Sequence, residues 1–295
     1  MIFRRYRAGL PHNRPRASLQ RDSGFVLLMV LWAFVLLGLI ATQLAAGGRS
    51  EVEIARNIAA NAAADAAAEG AIYQAIFNLL ATPDNGRWPL DRAPHPLDVG
   101  SSRVIVRLEN EAARINPNTA APALVEALLR VTGSDPDTAH QLAEAIAEWV
   151  GTAPVVRPAS ALFAEYQAAG LDYGPPGSAL QTMGELSRVR GMSAAVLARL
   201  RPHLTLFGPA TPDQHQGDPA VAAALVIAAQ MPTAAGTQVP PPMPPGDGVQ
   251  LARIVVVAQG PANAIVIQTA IAQIGASLPG GYSMLNWYTG AEGDT

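Results

Sequence analysis

A long apolar stretch near the start of the chain dominates its hydrophobic pattern. Residues 25–41 have no polar side chain, and residues 25–46 are interrupted only by Thr42 and Gln43. Since a transmembrane helix needs about 20 apolar residues, the pattern predicts one membrane span. A secretory signal peptide is a poorer match, because its apolar core is only about 7–15 residues long and an Ala-x-Ala site follows it.

The helical pattern continues beyond the predicted span. The next segment is rich in alanine, which favours helix, and it ends at turn-forming residues 83–86. Apolar residues recur three, four or six positions apart and predict one helix face on which a folded domain packs. The residues of this predicted face are Val52, Ile58, Ala62, Ala66, Ile72, Ile76 and Leu80.

Strand patterns occur early and late in the rest of the chain, with helical patterns between them. Alternation predicts strands at residues 103–108, 251–257, 264–271 and 282–288. Helices are predicted throughout 113–207 and at 220–229, with caps at Asn118 or Thr119, Asp135, Ser160, Thr182 and Ser193. Because a lone early strand needs partners, we expect an α+β fold. In this fold the long N-terminal helix packs on a small antiparallel sheet, and a large all-α domain is inserted with its two ends at that sheet.

This pattern divides the chain into five predicted segments. They are a leader (1–24), the membrane-spanning part of the long helix (25–46), the rest of that helix with the first strand (47–112), the helical insertion (113–207) and the C-terminal part of the α+β domain (208–295). The last segment contains a proline-rich loop at 240–245, a composition that favours an extended spacer.

Charge is distributed unevenly between the leader and the remainder. The leader has six arginines and one aspartate, whereas the whole chain has a net charge of −3, so the remainder carries −8. Arginines before a span favour a cytoplasmic N-terminus and place the remainder across the membrane. An acidic remainder argues against nucleic-acid binding, which needs a basic face.

The junction between the leader and the apolar stretch is more specific. Gly24 is followed directly by Phe25, the first apolar residue of the stretch. Glycine lets the chain unwind into an extended, protease-accessible segment before the helix. This junction resembles a type IV prepilin leader, and the resemblance implies that the α+β domain with its long N-terminal helix is pilin-like. The resemblance implies that a prepilin peptidase cleaves after Gly24 on the cytoplasmic side and methylates the new N-terminus at Phe25.

Three further segments carry a resemblance to one family. Residues 108–120 contain glutamates followed by RINPNTA, residues 145–149 are AIAEW, and residues 184–192 are GELSRVRGM, followed at 200–205 by LRPHLT. Together with the leader junction, the long helix and the late strands, these segments resemble protein K of type II secretion systems, the largest minor pseudopilin. Arg114 stands where lysine is usual in that family.

The resemblance implies a function, a location and partners. We expect a minor pseudopilin that forms the tip of the type II secretion pseudopilus and initiates its assembly for export of folded proteins from the periplasm. We expect a single pass through the inner membrane, with the C-terminal domain in the periplasm. The expected partners are other minor pseudopilins, the inner-membrane platform of the system and the prepilin peptidase.

Four residues of the predicted span are assigned roles, one in the position of the subunit in a filament and three in helix packing. Most pilins carry glutamate at the fifth mature residue, where a neighbour's N-terminus neutralises it, but Met29 holds that position here. A subunit at the tip has no neighbour above it whose amine needs a partner, so Met29 fits a tip subunit. The small residues Gly38, Ala41 and Ala45 allow close approach of membrane and partner helices.

No catalytic activity and no cofactor are expected, with calcium as the one alternative. The five histidines are scattered, and no nucleophile motif occurs. The family usually has calcium-associated aspartates after the tryptophan of AIAEW, but residues 150–156 contain no carboxylate. Nearby carboxylates lack the spacing of calcium ligands: Asp135, Asp137, Glu165 and Asp172. Asp213 and Asp218 lie in a loop and are expected to be solvent-exposed.

The turn at residues 189–192 leaves a second function open. Its sequence, VRGM, also resembles a helix-hairpin-helix, a module that grips DNA phosphates. The alternative is therefore a membrane-anchored nucleic-acid-binding protein. Against it stand the acidic remainder and a local basic group of only four residues, Arg188, Arg190, Arg199 and Arg201. We expect no nucleic-acid binding.

Overall fold

The computed structural model describes residues 23–82, 86–213, 217–231 and 248–290. The side chains of Ser23 and residues 44–50 lie outside this description, as do most of the predicted leader and the whole proline-rich loop at 240–245. The chain divides into two compact units, Met1–Asn57 and Ile58–Thr295.

Helix α1 (Ser23–Leu80) provides all the described residues of the first unit and the first helix of the second. Within the first unit, the segment Gly24–Gln43 is long and apolar enough to cross a membrane. The prediction that Gly24 lies in an extended segment before the helix is wrong, because α1 already includes Ser23. Glycine in a helix costs only about 1 kcal/mol or less relative to alanine, so the adjoining apolar helix extends through it.

The second unit contains a five-stranded antiparallel sheet whose strands are neighbours in chain order. The strands are β1 (His95–Val99), β2 (Ser102–Asn110), β3 (Gln250–Gln259), β4 (Ile265–Ile274) and β5 (Tyr282–Thr289). The four predicted strands are confirmed as β2 to β5. Strand β1 was not predicted, because Pro96 is atypical of strands; β1 is an edge strand, where proline is tolerated.

The part of α1 in the second unit packs on the sheet through small side chains. Ala68, Ala71 and Ala75 are completely buried, and they share one apolar core with strand residues such as Val106. Gly260, directly after β3, permits the close approach, since a Cβ there would lie 2.8 Å from the Cβ of Ala64. The predicted α+β fold, with a long helix packed on a small antiparallel sheet, is confirmed.

The helix face that packs on the sheet differs from the predicted one. Ile72 and Ile76 are buried as predicted, but five other members of the predicted face are exposed: Val52, Ile58, Ala62, Ala66 and Leu80. Alanines form most of the buried face instead. The prediction gave weight to large aliphatic residues, whereas alanine lets a helix lie closer to a sheet.

Between β2 and β3 the chain forms the predicted helical insertion. Its α-helices are α2 (Pro122–Val131), α3 (Pro136–Val150), α4 (Ala159–Ala168), α5 (Ala194–Leu200) and α6 (Pro219–Gln230), and 3-10 helices span Glu111–Ala113, Met183–Arg188 and Arg201–His203. Because β2 pairs directly with β3, with Leu108 opposite Ile254, both ends of the insertion meet at one sheet, as predicted.

Most of the predicted helix caps are present. Asp135 accepts a hydrogen bond from the backbone N–H of Thr138 at 3.0 Å, and this bond lowers the pKa of Asp135. Ser193 caps α5, and Thr182 forms the predicted capping box with Glu185. Two predicted caps are wrong: α2 begins at Pro122 after Ala121 rather than after Asn118 or Thr119, and Ser160 lies inside α4, whose N-cap is Pro158.

The helical insertion has its own apolar core, which shares no residue with the helix–sheet core. Leu128 of α2 and Ile146 of α3 lie in it, and α6 contributes Val221, Ala224 and Ala228. The sequence assigned residues from 208 onward to the pilin-like domain. Helix α6 instead packs in the helical core with α2, so the helical part extends beyond residue 207.

Candidate functional site

The first candidate surface is the apolar segment of α1 in the first unit. All side chains of residues 24–43 are exposed, including Phe25 at 62% and Met29 at 60%. The hydroxyl of Thr42 lies 2.8 Å from the carbonyl oxygens of Gly38 and Leu39 and donates within the helix. The polar hydroxyl is therefore satisfied by the helix itself, as an apolar surrounding requires.

The residues predicted for processing and packing all lie on α1. Gly24 and Met29 are exposed, and an added Cβ at Gly24 or Gly38 would meet no atom within 4 Å. Gly38 and Ala41 are three residues apart, so they lie on the same side of the helix. Ala45 is helical too, but its side chain lies outside the described residues. Cleavage, methylation and packing at these positions stay predictions.

A second uncovered surface lies on α1 within the second unit. Apolar residues three or four positions apart are exposed there, and we name them the helix stripe: Ile58, Ala62, Ala66, Gly70, Tyr73 and Phe77. Phe77 is 69% exposed and Ile58 is 64% exposed. The ring of Tyr73 meets Trp287 of β5 edge-on, with centroids 5.8 Å apart. The spacing was visible in the sequence, but the exposure depends on how α1 is rotated on the sheet, which the sequence did not indicate.

The RINPNTA motif forms the base of the insertion. The backbone N–H of Ile115 donates to the carbonyl of His203 at 3.0 Å, and Thr205 N–H donates to the carbonyl of Ile115 at 2.9 Å. The side chain of Asn116 donates to the carbonyl of Gly208 at 2.9 Å. The chain that enters the insertion is thus bonded to the chain that leaves α5.

Asn118 of the same motif has a role different from the predicted cap. Its side-chain oxygen accepts from the backbone N–H of Leu180 at 2.8 Å, and its amide donates to the carbonyl of Leu180 at 3.1 Å. These two bonds hold the segment before the 3-10 helix Met183–Arg188 against the base of the insertion.

The prediction that Asp213 and Asp218 are solvent-exposed is wrong. Asp218 is buried, caps α6 through the N–H of Ala220 at 2.9 Å, and lies 2.5 Å from Nδ1 of His203. Asp213 accepts a hydrogen bond from Asn110 at 2.9 Å. Both carboxylates have partners distant in sequence, which loop composition did not indicate.

The carboxylates near Trp149 are held by arginines. Arg157 donates to Glu148 at 2.9 Å and also pairs with Glu165, and Arg190 pairs with Glu165 at 2.9 Å. The hydrogen bond with Arg157 holds the pKa of Glu165 below its usual range, and the bonds with Glu165 and Glu148 raise the pKa of Arg157. Within the described part of the chain, no group of three or more potential metal-ligating side chains occurs.

The turn at residues 189–192 packs into the insertion. The backbone N–H of Arg190 donates to the hydroxyl of Tyr166 at 3.1 Å, and Tyr166 is buried, which raises its pKa. Gly191 has a φ of +84° and lies close to Leu142. A helix-hairpin-helix presents the backbone of this turn to phosphates, whereas here the N–H and the guanidinium of Arg190 are both engaged within the domain.

Comparison with known proteins places these features in context. Residues 104–209, about a third of the chain, match the family described as type II secretion system (T2SS), protein K. No curated protein sequence matches the chain. A solved structure that is similar is a chain of the GspK-GspI-GspJ complex from the type 2 secretion system of enterotoxigenic Escherichia coli. It has a TM-score of 0.50 and 17% identity, and the match covers 83% of this chain and 99% of that one.

The fold class follows from the architecture: the chain is a pilin-like α+β protein whose sheet carries a helical insertion between neighbouring strands. The matched residues begin in β2 and include the RINPNTA motif, Trp149 and the turn at 189–192. The match over residues 104–209 confirms the resemblance found in the sequence: this part of the chain is similar to protein K of type II secretion systems.

Proposed function

We propose that this protein is the minor pseudopilin at the tip of a type II secretion pseudopilus, where it initiates assembly for export of folded proteins from the periplasm. The observation that carries the proposal is that α1 leaves apolar side chains uncovered in both units. These are the segment Gly24–Gln43 and the helix stripe. A bilayer covers surfaces of the first kind and neighbouring helices cover the second.

The membrane part follows from charge and length. The segment Gly24–Gln43 has 20 residues, enough for the hydrocarbon core, and six arginines precede it. This distribution favours a cytoplasmic N-terminus and a periplasmic C-terminal domain in the inner membrane. Prepilin peptidase then meets the Gly24–Phe25 bond on the cytoplasmic side, cleaves it and methylates Phe25.

The tip position is supported by two features. Met29 stands at the fifth mature position and brings no charge that needs a neighbour's amine. The insertion adds helices α2 to α6 to the pilin-like sheet, and we propose that this bulk does not fit between stacked subunits. A subunit of this shape belongs at the end of a filament, where it starts assembly on the inner-membrane platform.

The partners are proposed to be other minor pseudopilins. The similar solved chain comes from a complex of GspK with GspI and GspJ. The helix stripe is suited to a second helix, because small residues at its centre allow close approach and Ile58 and Phe77 provide large apolar contacts at its ends. The direct test is co-purification of the full chain with the other minor pseudopilins of its secretion system. Failure to capture any of them, with secretion intact after deletion of the chain, contradicts the proposal.

Phe77→Ala is expected to weaken binding to a partner pseudopilin by about tenfold or more, as truncation of a well-packed aromatic anchor does. The free energy of unfolding should change by less than about 0.5 kcal/mol, because the ring of Phe77 is 69% exposed in the free chain. Affinity is measured on full chains in detergent. Phe163→Ala, which removes an exposed ring from the insertion, is the matched control and should bind normally. Equal affinities for the two variants contradict a docking role for the helix stripe.

The insertion is proposed to be stable without calcium, because Arg157 and Arg190 already neutralise Glu148 and Glu165. EDTA is therefore expected to leave the Tm unchanged. A bound ion at a hundredfold excess over its Kd adds about 2.7 kcal/mol, which is a shift of several degrees. Thermal unfolding with EDTA, and again with added calcium, checks this. A Tm lowered by EDTA and restored by calcium, but not by magnesium, shows that the expectation is wrong.

A further inference from the structure

The helix–sheet core and the core of the helical insertion meet at a group of buried polar side chains. The two apolar cores share no residue. At the junction, charged and polar residues are almost inaccessible to solvent: Glu111, Arg114, Asn116, Thr205 and Arg253. Buried polar side chains need hydrogen-bond or ion-pair partners, and each residue of this group has at least one within the protein.

Glu111 is the centre of this group. It is the first residue after β2 and is completely buried. Its two carboxylate oxygens accept from Nε and Nη2 of Arg253 on β3 at 2.6 and 2.7 Å, in a bidentate arrangement. The hydroxyl of Thr205, on the chain that leaves α5, donates to the same carboxylate at 2.6 Å. One carboxylate therefore joins the sheet to both sides of the insertion's base.

Neighbouring side chains from the sheet and from the insertion contact the Glu111–Arg253 pair and fix its position. Nη1 of Arg253 donates to the hydroxyl of Tyr288 on β5 at 3.1 Å. Arg114 pairs with Glu109 at the end of β2 at 2.8 Å, and its Nε lies 3.7 Å from Glu111. The geometry of Glu111 and Arg253 is thus fixed from three strands and from two segments of the insertion.

We infer that the Glu111–Arg253 pair is an orientation lock, which holds the helical insertion at one angle on the sheet. Apolar contacts are non-directional, whereas a bidentate buried ion pair keeps its energy only in one geometry. Without the negative charge of Glu111, Arg253 stays buried without its counterion. The present orientation of the insertion on the sheet then no longer has the lowest energy. The insertion then turns on its connections while each core remains folded.

The test follows the orientation of the insertion on the sheet through the distance between two labels, one on each part. The chain has no cysteine, so Val156→Cys on the insertion and Ile265→Cys on β4 give two unique labelling sites, 94% and 64% exposed in the parent chain. Spin labels on the full chain in detergent are expected to give one narrow distance distribution. With Glu111→Gln added, the width of the distance distribution should increase at least twofold, while the far- and near-UV circular dichroism stays native.

Glu126→Gln is the matched control, because it removes a carboxylate paired with Arg130 inside the insertion rather than at its base. Its distance distribution should stay narrow. A narrow distribution in Glu111→Gln overturns the lock. If Glu111→Gln does not fold, the double variant Glu111→Leu with Arg253→Met decides instead, since it removes the ion pair without leaving a buried charge unpaired. A broader distance distribution with native circular dichroism supports the lock, and an unchanged distribution overturns it. The measurement needs no secretion partner, so its result is independent of the proposed function.

Discussion

Replacing Gly24 with leucine is expected to leave the protein uncleaved, so that full-length precursor accumulates in the inner membrane and secretion stops. A peptidase that cleaves after glycine rejects a side chain by steric exclusion at the scissile bond. An added Cβ at Gly24 meets no atom of the described residues within 4 Å, so the substitution leaves their packing undisturbed at the Cβ. Loss of cleavage therefore reports on recognition by the peptidase rather than on misfolding.

N-terminal sequencing and intact mass spectrometry check this result. The wild-type chain should begin at a methylated Phe25, and the variant should retain its leader. Gly38→Leu is the matched control, because Gly38 lies in the same helix with equally free space around it, and this variant should be cleaved normally. A wild-type N-terminus beyond residue 40 would indicate an ordinary signal peptidase and would remove the support for a pseudopilin.

Trp149→Ala is expected to destabilise the helical insertion by about 3–5 kcal/mol, the cost of deleting a large buried ring. Trp149 is 4% exposed, and its ring lies 6.2 Å from the rings of both Tyr166 and Tyr173. The helix–sheet core contains none of these residues. The insertion should therefore unfold at lower urea concentration than the sheet, and the transition should separate into two.

Urea unfolding of the full chain, followed by circular dichroism at helix and aromatic wavelengths, measures the effect. Val156→Ala is the control, since Val156 is 94% exposed and its truncation should change stability by less than about 0.5 kcal/mol. One cooperative transition in Trp149→Ala, shifted as a whole, would mean that the two cores unfold as a unit.

The sequence was most informative about features that depend on residues close to one another in the chain. The N-caps Asp135 and Ser193 and the capping box at Thr182 and Glu185 lie within four residues of the groups they bind, and all are present. Alternation likewise identified β2 to β5. The lone early strand correctly implied an insertion, because a strand without neighbours is unstable.

The sequence was least informative where distant residues decide the outcome. Glu111 and Arg253 are 142 positions apart, so no spacing rule pairs them. Asp218 was predicted to be exposed because its partner, His203, lies in another element. The sheet-facing side of α1 was misassigned because alanine is a weak hydrophobic signal, although the sheet packs against it closely. These errors share one cause, since each depends on which elements meet in three dimensions.

The placement of the insertion between two neighbouring strands has a consequence for the order of folding. Strands β2 and β3 pair along most of their length, yet the whole helical insertion separates them in the chain. Closing so long a loop in an unfolded chain carries an entropic cost, and pairing of distant strands is slow. Helices α2 to α5 form from nearby residues, and the bonds between Ile115 and the segment 203–205 bring much of that loop's length together. We therefore expect the insertion to act as an internal folding template, whose early formation shortens the search by which β2 finds β3.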